Sequence, residues 1–110
     1  MEISFASRKL QKLCQSEKEL RRAFGVDGAK KVMTRLSELR SVATLEEMRN
    51  LPGRIHELEA DRDGQLAIDL AGSRRLVLTP TNGWPSEKKD GANVWPEVDA
   101  VQLLEIADYH

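Results

Sequence analysis

The hydrophobic period of this chain changes at Gly53, and the change limits its fold more than any other feature. Before Gly53, apolar residues recur every three or four positions. After it, Leu66, Ile68 and Leu70 alternate with Gln65, Ala67 and Asp69, the period-2 pattern of a half-buried strand. A chain of 110 residues buries about two-thirds of its unfolded surface, which is enough for one core. The expectation is a single α+β domain over residues 1–110, with N-terminal helices packed on one face of a mainly antiparallel sheet.

The first half divides by its caps and stops. Ile3 to Phe5 reads as a short strand, and Ser7 as the N-cap of a helix on which Leu10, Leu13, Cys14, Leu20 and Phe24 recur until Gly25 stops it. Asp27 caps a second helix with the stripe Ala29, Val32, Met33, Leu36, Leu39 and Ala43. Thr44-Leu45-Glu46-Glu47 is a capping box opening a short third helix that Pro52-Gly53 ends. Two antiparallel helices and a short one are thus predicted.

The second half reads as a meander: Arg54 to Leu58, then Leu66 to Leu70 between the turns Asp63-Gly64 and Ala71-Gly72, then Arg75 to Thr79. A last strand, about Val98 to Tyr109, is rich enough in Val, Leu and Ile to lie centrally in the sheet. Before it comes a loop of about residues 80–97 that holds both tryptophans, Trp84 and Trp95. A loop this long is functional or folds back on its own sheet. Both readings are open at this stage.

At 40% hydrophobic and 32% charged, the composition is that of an ordinary globular protein. No apolar run approaches the ~18 residues of a membrane span, and the start, Met1 to Lys9, lacks the apolar core of a signal peptide. A cytoplasmic location with no membrane partner is expected. The single cysteine, Cys14, lies among Leu10, Leu13 and Leu20 and reads as a buried structural thiol. The net charge of −1 hides an asymmetry: residues 1–50 carry 11 Lys/Arg against 7 Asp/Glu, and residues 51–110 carry 6 against 11. A basic first half is more often a solvated helix surface than a polyanion site.

The chain has two histidines, His56 and His110. His56 lies on a strand-like segment near Arg54 and Arg62, and His110 ends the chain beside Asp108 and Tyr109. Two groups that exchange protons near neutral pH, with arginines that bind phosphate through two N–H groups, are a minimal kit for metal-free RNA cleavage. With two histidines, one cysteine and no metal-ligand spacing, no compact metal site and no cofactor are expected.

Several segments together carry a resemblance: Leu45-Glu46-Glu47-Met48-Arg49-Asn50-Leu51-Pro52-Gly53, Arg54-Ile55-His56, Asp61-Arg62-Asp63-Gly64, Gly72-Ser73-Arg74-Arg75-Leu76, and the terminal Asp108-Tyr109-His110. In this order they resemble the HigB-like branch of the RelE/ParE toxins of bacterial toxin–antitoxin operons. The resemblance implies a compact α+β toxin that cuts mRNA in the ribosomal A site and is held inactive by an antitoxin with a helix-turn-helix domain. It places His56, Asp108, Tyr109 and His110 in the active site, with Arg62 and Arg75 as phosphate contacts.

The chemical types suit those roles. Cleavage through a cyclic phosphate needs a base for the ribose 2′-proton, an acid for the leaving 5′-oxygen, and positive charge on the phosphoryl oxygens. Tyr109 would orient a base or take part in proton transfer, and Asp108 would fix an imidazole tautomer. Glu59 departs from the resemblance, since many relatives carry a lysine there. Two other functions compete: a non-catalytic inhibitor of DNA gyrase, as on the ParE side of the superfamily, and a degenerate module that only binds its antitoxin.

Overall fold

The structure, a computed structural model, describes residues 1–108. Strand β1 (Glu2–Phe5) leads to helix α1 (Arg8–Cys14). The Ser7 hydroxyl caps α1 by accepting the Leu10 N–H at 3.1 Å. The helix ends earlier than its apolar spacing predicts, because Ser16 is extended and opens a new helix, α2 (Glu17–Ser41), accepting the Glu19 N–H at 3.1 Å. Glu17 and Glu19 in the first turn of α2 suit the positive end of its dipole. Gly25, at φ 78° and ψ 177°, breaks the helical path as expected, so that α2 consists of two helical segments meeting at a kink, and the break at Ser16 comes in addition to it. A side chain rarely tolerates that backbone conformation.

The capping box forms as expected at the start of a 3₁₀ helix, Leu45–Asn50, with the Thr44 N–H donating to Glu47 Oε2 at 3.1 Å. Strand β2 is only His56–Glu57, shorter than the predicted Arg54 to Leu58. Its ends are set by backbone turns, at Gly53 (φ 107°) and Arg54 (φ 46°) before it and at Ala60 (φ 56°) after it. A 3₁₀ turn at Ala60–Arg62 leads to β3 (Leu66–Asp69) and β4 (Arg74–Pro80). After 3₁₀ turns at Ser86–Asp90 and Trp95–Glu97 comes β5 (Ala100–Asp108).

Among the described residues these strands form one sheet in the order β1-β5-β4-β3-β2. The last four strands form an antiparallel meander, and β1 adds parallel to β5, with Glu2 opposite Ala100 and Phe5 opposite Leu103. A register shift lies at Val77/Leu78: Leu78 faces Leu103, whereas Val77 faces Glu105. Leu104 is thus the extra residue of a bulge.

One face of the sheet is the floor of the core. Leu66, Ile68, Leu76, Leu78, Val101 and Leu103 cluster with Leu20, Val32, Leu36 and Leu39 of α2 and with Leu45, Met48 and Trp95. Cys14 belongs to this cluster, and burial pushes its thiol up to about 11 against the opposing pull of Arg40. Trp95 is buried and Trp84 half-buried, so the loop of residues 80–97 folds back onto the sheet. No helix among the described residues is long and apolar enough to cross a membrane.

Candidate functional site

Residues paired across adjacent strands point to the same face of a sheet. The register therefore defines a row His56–Ala67–Val77–Glu105, one residue from each of β2, β3, β4 and β5. Its neighbour is the row Asp69–Arg75–Ala107. Both alternate with the core positions Leu66, Ile68 and Leu76, so they lie on the face turned away from the helices. His56 and Glu105 are three strand spacings apart, roughly 14 Å.

His56 is half-buried, and its Nδ1 stands 2.9 Å from the Arg54 carbonyl oxygen. A carbonyl only accepts, so Nδ1 carries the hydrogen and the neutral ring keeps its lone pair on Nε2. The backbone makes this possible. Arg54 is in the left-handed region, which costs a residue with a side chain roughly 1 kcal/mol and sets its carbonyl against the ring.

Arg62 reaches from the β2–β3 connection across β3 and β4 to Glu105. Its Nη1 and Nη2 are each 3.2 Å from the same oxygen, Oε2 of Glu105, and Nη1 also lies 3.1 Å from Gln65 Oε1. Arg75 lies 3.2 Å from Asp69 Oδ1, and Arg54 Nη2 lies 2.6 Å from Asp69 Oδ2. The structure thus gathers His56, Arg62, Arg75 and Arg54 on one face together with two carboxylates, Asp69 and Glu105. Neither carboxylate figured among the expected site residues. Their only signal in the sequence is a charge at a period-2 position of an apolar strand.

Asp108 lies elsewhere. The bulge at Leu104 brings it opposite Arg74 on the helix side, where Arg74 stacks over the Phe24 ring at 5.2 Å from its centroid. Asp108 accepts a hydrogen bond from the Ser73 hydroxyl and stands 3.9 Å from Arg74 Nε. It is therefore on the face opposite His56, and the Arg54 carbonyl, not Asp108, orders the His56 tautomer. Tyr109 and His110 lie outside the described residues. Glu59 is exposed at the N-cap of the turn that carries Arg62.

Beneath His56, on the core side, Glu57 ties β2 to the long loop. Burial alone would raise its carboxyl, but hydrogen bonds from Lys88 and Trp95 and the charges of Lys88 and Arg49 outweigh burial and hold its pKa below the ordinary value. Among the described residues no group of three or more His, Cys, Asp or Glu is arranged to hold a metal ion.

No protein-family model matches this chain, and no curated protein matches it. Solved structures do. A YoeB/ParE toxin from Agrobacterium tumefaciens superposes with a TM-score of 0.60 at 8% identity, covering 100% of both chains. The YoeB-YefM complex from Staphylococcus aureus contains a chain that superposes with a TM-score of 0.56 at 15% identity, over 100% of this chain and 97% of that one. The chain has the YoeB/ParE toxin fold. Identities this low carry the fold and not the individual residues, so the roles of residues on the YoeB/ParE-like sheet rest on their own geometry and chemistry.

Proposed function

We propose that this protein is the toxin of a toxin–antitoxin pair, HigB-like in its motifs, that cleaves mRNA on the ribosome without a metal. The observation that carries the proposal is His56 with its proton fixed on Nδ1, on the same sheet face as Arg62 and Arg75, in a fold shared with YoeB/ParE toxins. In this reading one of His56 and His110 takes the ribose 2′-proton as the 2′-oxygen attacks phosphorus. The other protonates the leaving 5′-oxygen, and a 2′,3′-cyclic phosphate remains. Arg62 and Arg75 hold the phosphoryl oxygens, whose charge grows in the transition state. Tyr109 stacks on or orients a base. Asp108 contributes indirectly, by anchoring the end of β5 through Ser73 and Arg74.

The arginines of this face, Arg54, Arg62 and Arg75, stand against Asp69 and Glu105, so its charge is only weakly positive. Free RNA would be drawn poorly, and the ribosome supplies the substrate and its orientation. The partners in this reading are the ribosome, mRNA and an antitoxin with a helix-turn-helix domain. The matched YoeB-YefM structure being a complex supports an antitoxin partner. The site of action is the cytoplasm, and the 110 residues work as one domain.

The test is cleavage of a reporter mRNA on translating ribosomes, mapped by primer extension, for the wild type and His56→Ala. Losing one proton-transfer group should slow cleavage by about 10²–10⁴-fold. Equal cleavage by both proteins removes His56 from the chemistry. Absence of cleavage together with inhibition of gyrase supercoiling replaces the nuclease by a ParE-like gyrase inhibitor.

A further inference from the structure

Arg62 and Arg75, the two arginines assigned to the substrate phosphate, are both met by carboxylates on the same face: Glu105 of β5, and Asp69, which stands opposite Arg75 across the β3–β4 hairpin. We propose that Glu105 and Asp69 are internal stand-ins for phosphate: each occupies a guanidinium in the free protein and must yield it when RNA binds. This inference rests on the reading of Arg62 and Arg75 as phosphate contacts. Glu105 and Asp69 then set how strongly the toxin holds RNA.

The geometry at Arg62 supports exchange. Both of its terminal nitrogens converge on the single oxygen Oε2 of Glu105 at 3.2 Å. A guanidinium fork is matched better by two acceptor oxygens side by side, as a phosphate presents them. The pair is also open to water, with side-chain exposures of 35% for Arg62 and 45% for Glu105, so solvent screens it and it is readily exchanged. Asp69 is held more firmly. Its Oδ2 accepts from Arg54 Nε at 2.8 Å, its Oδ1 lies 3.2 Å from Arg75 Nε without a hydrogen bond, its side chain is 23% exposed, and its own N–H donates to the Gly53 carbonyl at 2.7 Å. Phosphate exchange should therefore begin at Arg62, with Asp69 yielding Arg75 less easily.

The position of Glu105 in the fold fits this role. Its register partner Val77 is fully buried, and so is Ala67 beyond it. Arg62, in crossing to Glu105, spans the row that begins at His56. To hold the phosphate on which His56 acts, Arg62 must leave Glu105, so opening the pair and approaching the histidine belong to one binding event.

The experiment measures the affinity of folded protein for a fluorescein-labelled single-stranded RNA decamer as a function of salt. Glu105→Gln keeps the side-chain size and removes the competing charge. It should bind up to about five-fold more tightly, the range set by an exposed ion pair, with a salt dependence steeper by about 0.7 in log–log slope. Glu87→Gln removes the same charge from the loop and should change neither. The gain should vanish in the double variant Arg62→Ala/Glu105→Gln. Asp69→Asn should give a smaller gain. If Glu105→Gln binds RNA no better than Glu87→Gln while the wild type still cleaves mRNA on ribosomes, the stand-in role is wrong and the nuclease reading stands. If neither wild type nor Glu105→Gln binds RNA and neither cleaves mRNA on ribosomes, both fall together.

Discussion

The indole N–H of Trp95 donates to Glu57 Oε2 at 3.0 Å, tying the turn before β5 to the two-residue edge strand that carries His56. Lys88 Nζ holds the other carboxylate oxygen at 2.6 Å, and the Arg49 guanidinium lies 3.7 Å from the centroid of the Trp95 ring. The loop of residues 80–97 is therefore a brace for β2. Trp95→Ala should cost about 3–5 kcal/mol, the range for truncating a buried aromatic. Trp84 is half-buried, with its indole N–H on the Gly64 carbonyl at 2.9 Å, so Trp84→Ala should cost less. Thermal and urea denaturation give the ranking, and two variants of unchanged stability that bind antitoxin weakly would assign the loop to recognition instead.

The same carboxylate makes the brace sensitive to acid. The folded pKa of Glu57 lies below its ordinary value, so its share of stability is complete above the unfolded pKa, near 4.5. That share is lost as the pH falls through the folded value. Stability measured from pH 6 down to pH 3 should decline less for Glu57→Gln than for the wild type, after each curve is referred to its own value at pH 6. Parallel curves would mean that the Lys88 and Trp95 contacts contribute nothing to the pH dependence.

Arg62→Lys and Arg75→Lys keep the charge and lose the fork. Each should reduce ribosome-dependent cleavage by about ten-fold or more, since a two-point phosphate contact becomes a point charge. Their melting temperatures should move little, because the pairs with Glu105 and Asp69 are partly open to water. Wild-type cleavage rates in both variants would reduce these arginines to surface ion pairs. Treating the toxin with EDTA and removing the chelator before it meets Mg²⁺-containing ribosomes should leave the wild-type rate unchanged.

Gly53 stands where the helical half gives way to the sheet, at φ 107°. A β-carbon there would sit 2.7 Å from Ile68 Cγ2 and 3.0 Å from Arg35 Nε. Ile68 is fully buried and Arg35, on α2, is buried as well, so neither has room to withdraw. Gly53→Ala should cost about 2–4 kcal/mol, from the backbone conformation and the overpacking together. Because Arg54 follows directly, the variant should also disturb the carbonyl that orders His56. A urea midpoint equal to that of wild type would show that the backbone relaxes at no cost.

Local chemistry in the sequence was enough to place most of the elements and their order. The Ser7 cap, the Thr44 capping box, the period change at Gly53 and the alternation from Leu66 to Leu70 depend on neighbours a few residues away, and each appears in the fold. Local signals also misled where two of them competed. Ser16 opens α2 before the apolar stripe runs out, and the turns at Arg54 and Ala60 cut β2 to His56 and Glu57. The resemblance of the motifs led to the right toxin fold because it rests on their order along the whole chain. Only the tertiary structure could decide the faces and the partners. The one-residue bulge at Leu104 shifts the phase of β5, which sends Asp108 to the helix side and Glu105 to the side of His56. Arg62 meets Glu105 from a strand far along the chain and Arg75 meets Asp69 across the β3–β4 hairpin, because strand register, and not sequence neighbourhood, decides which charges stand opposite each other.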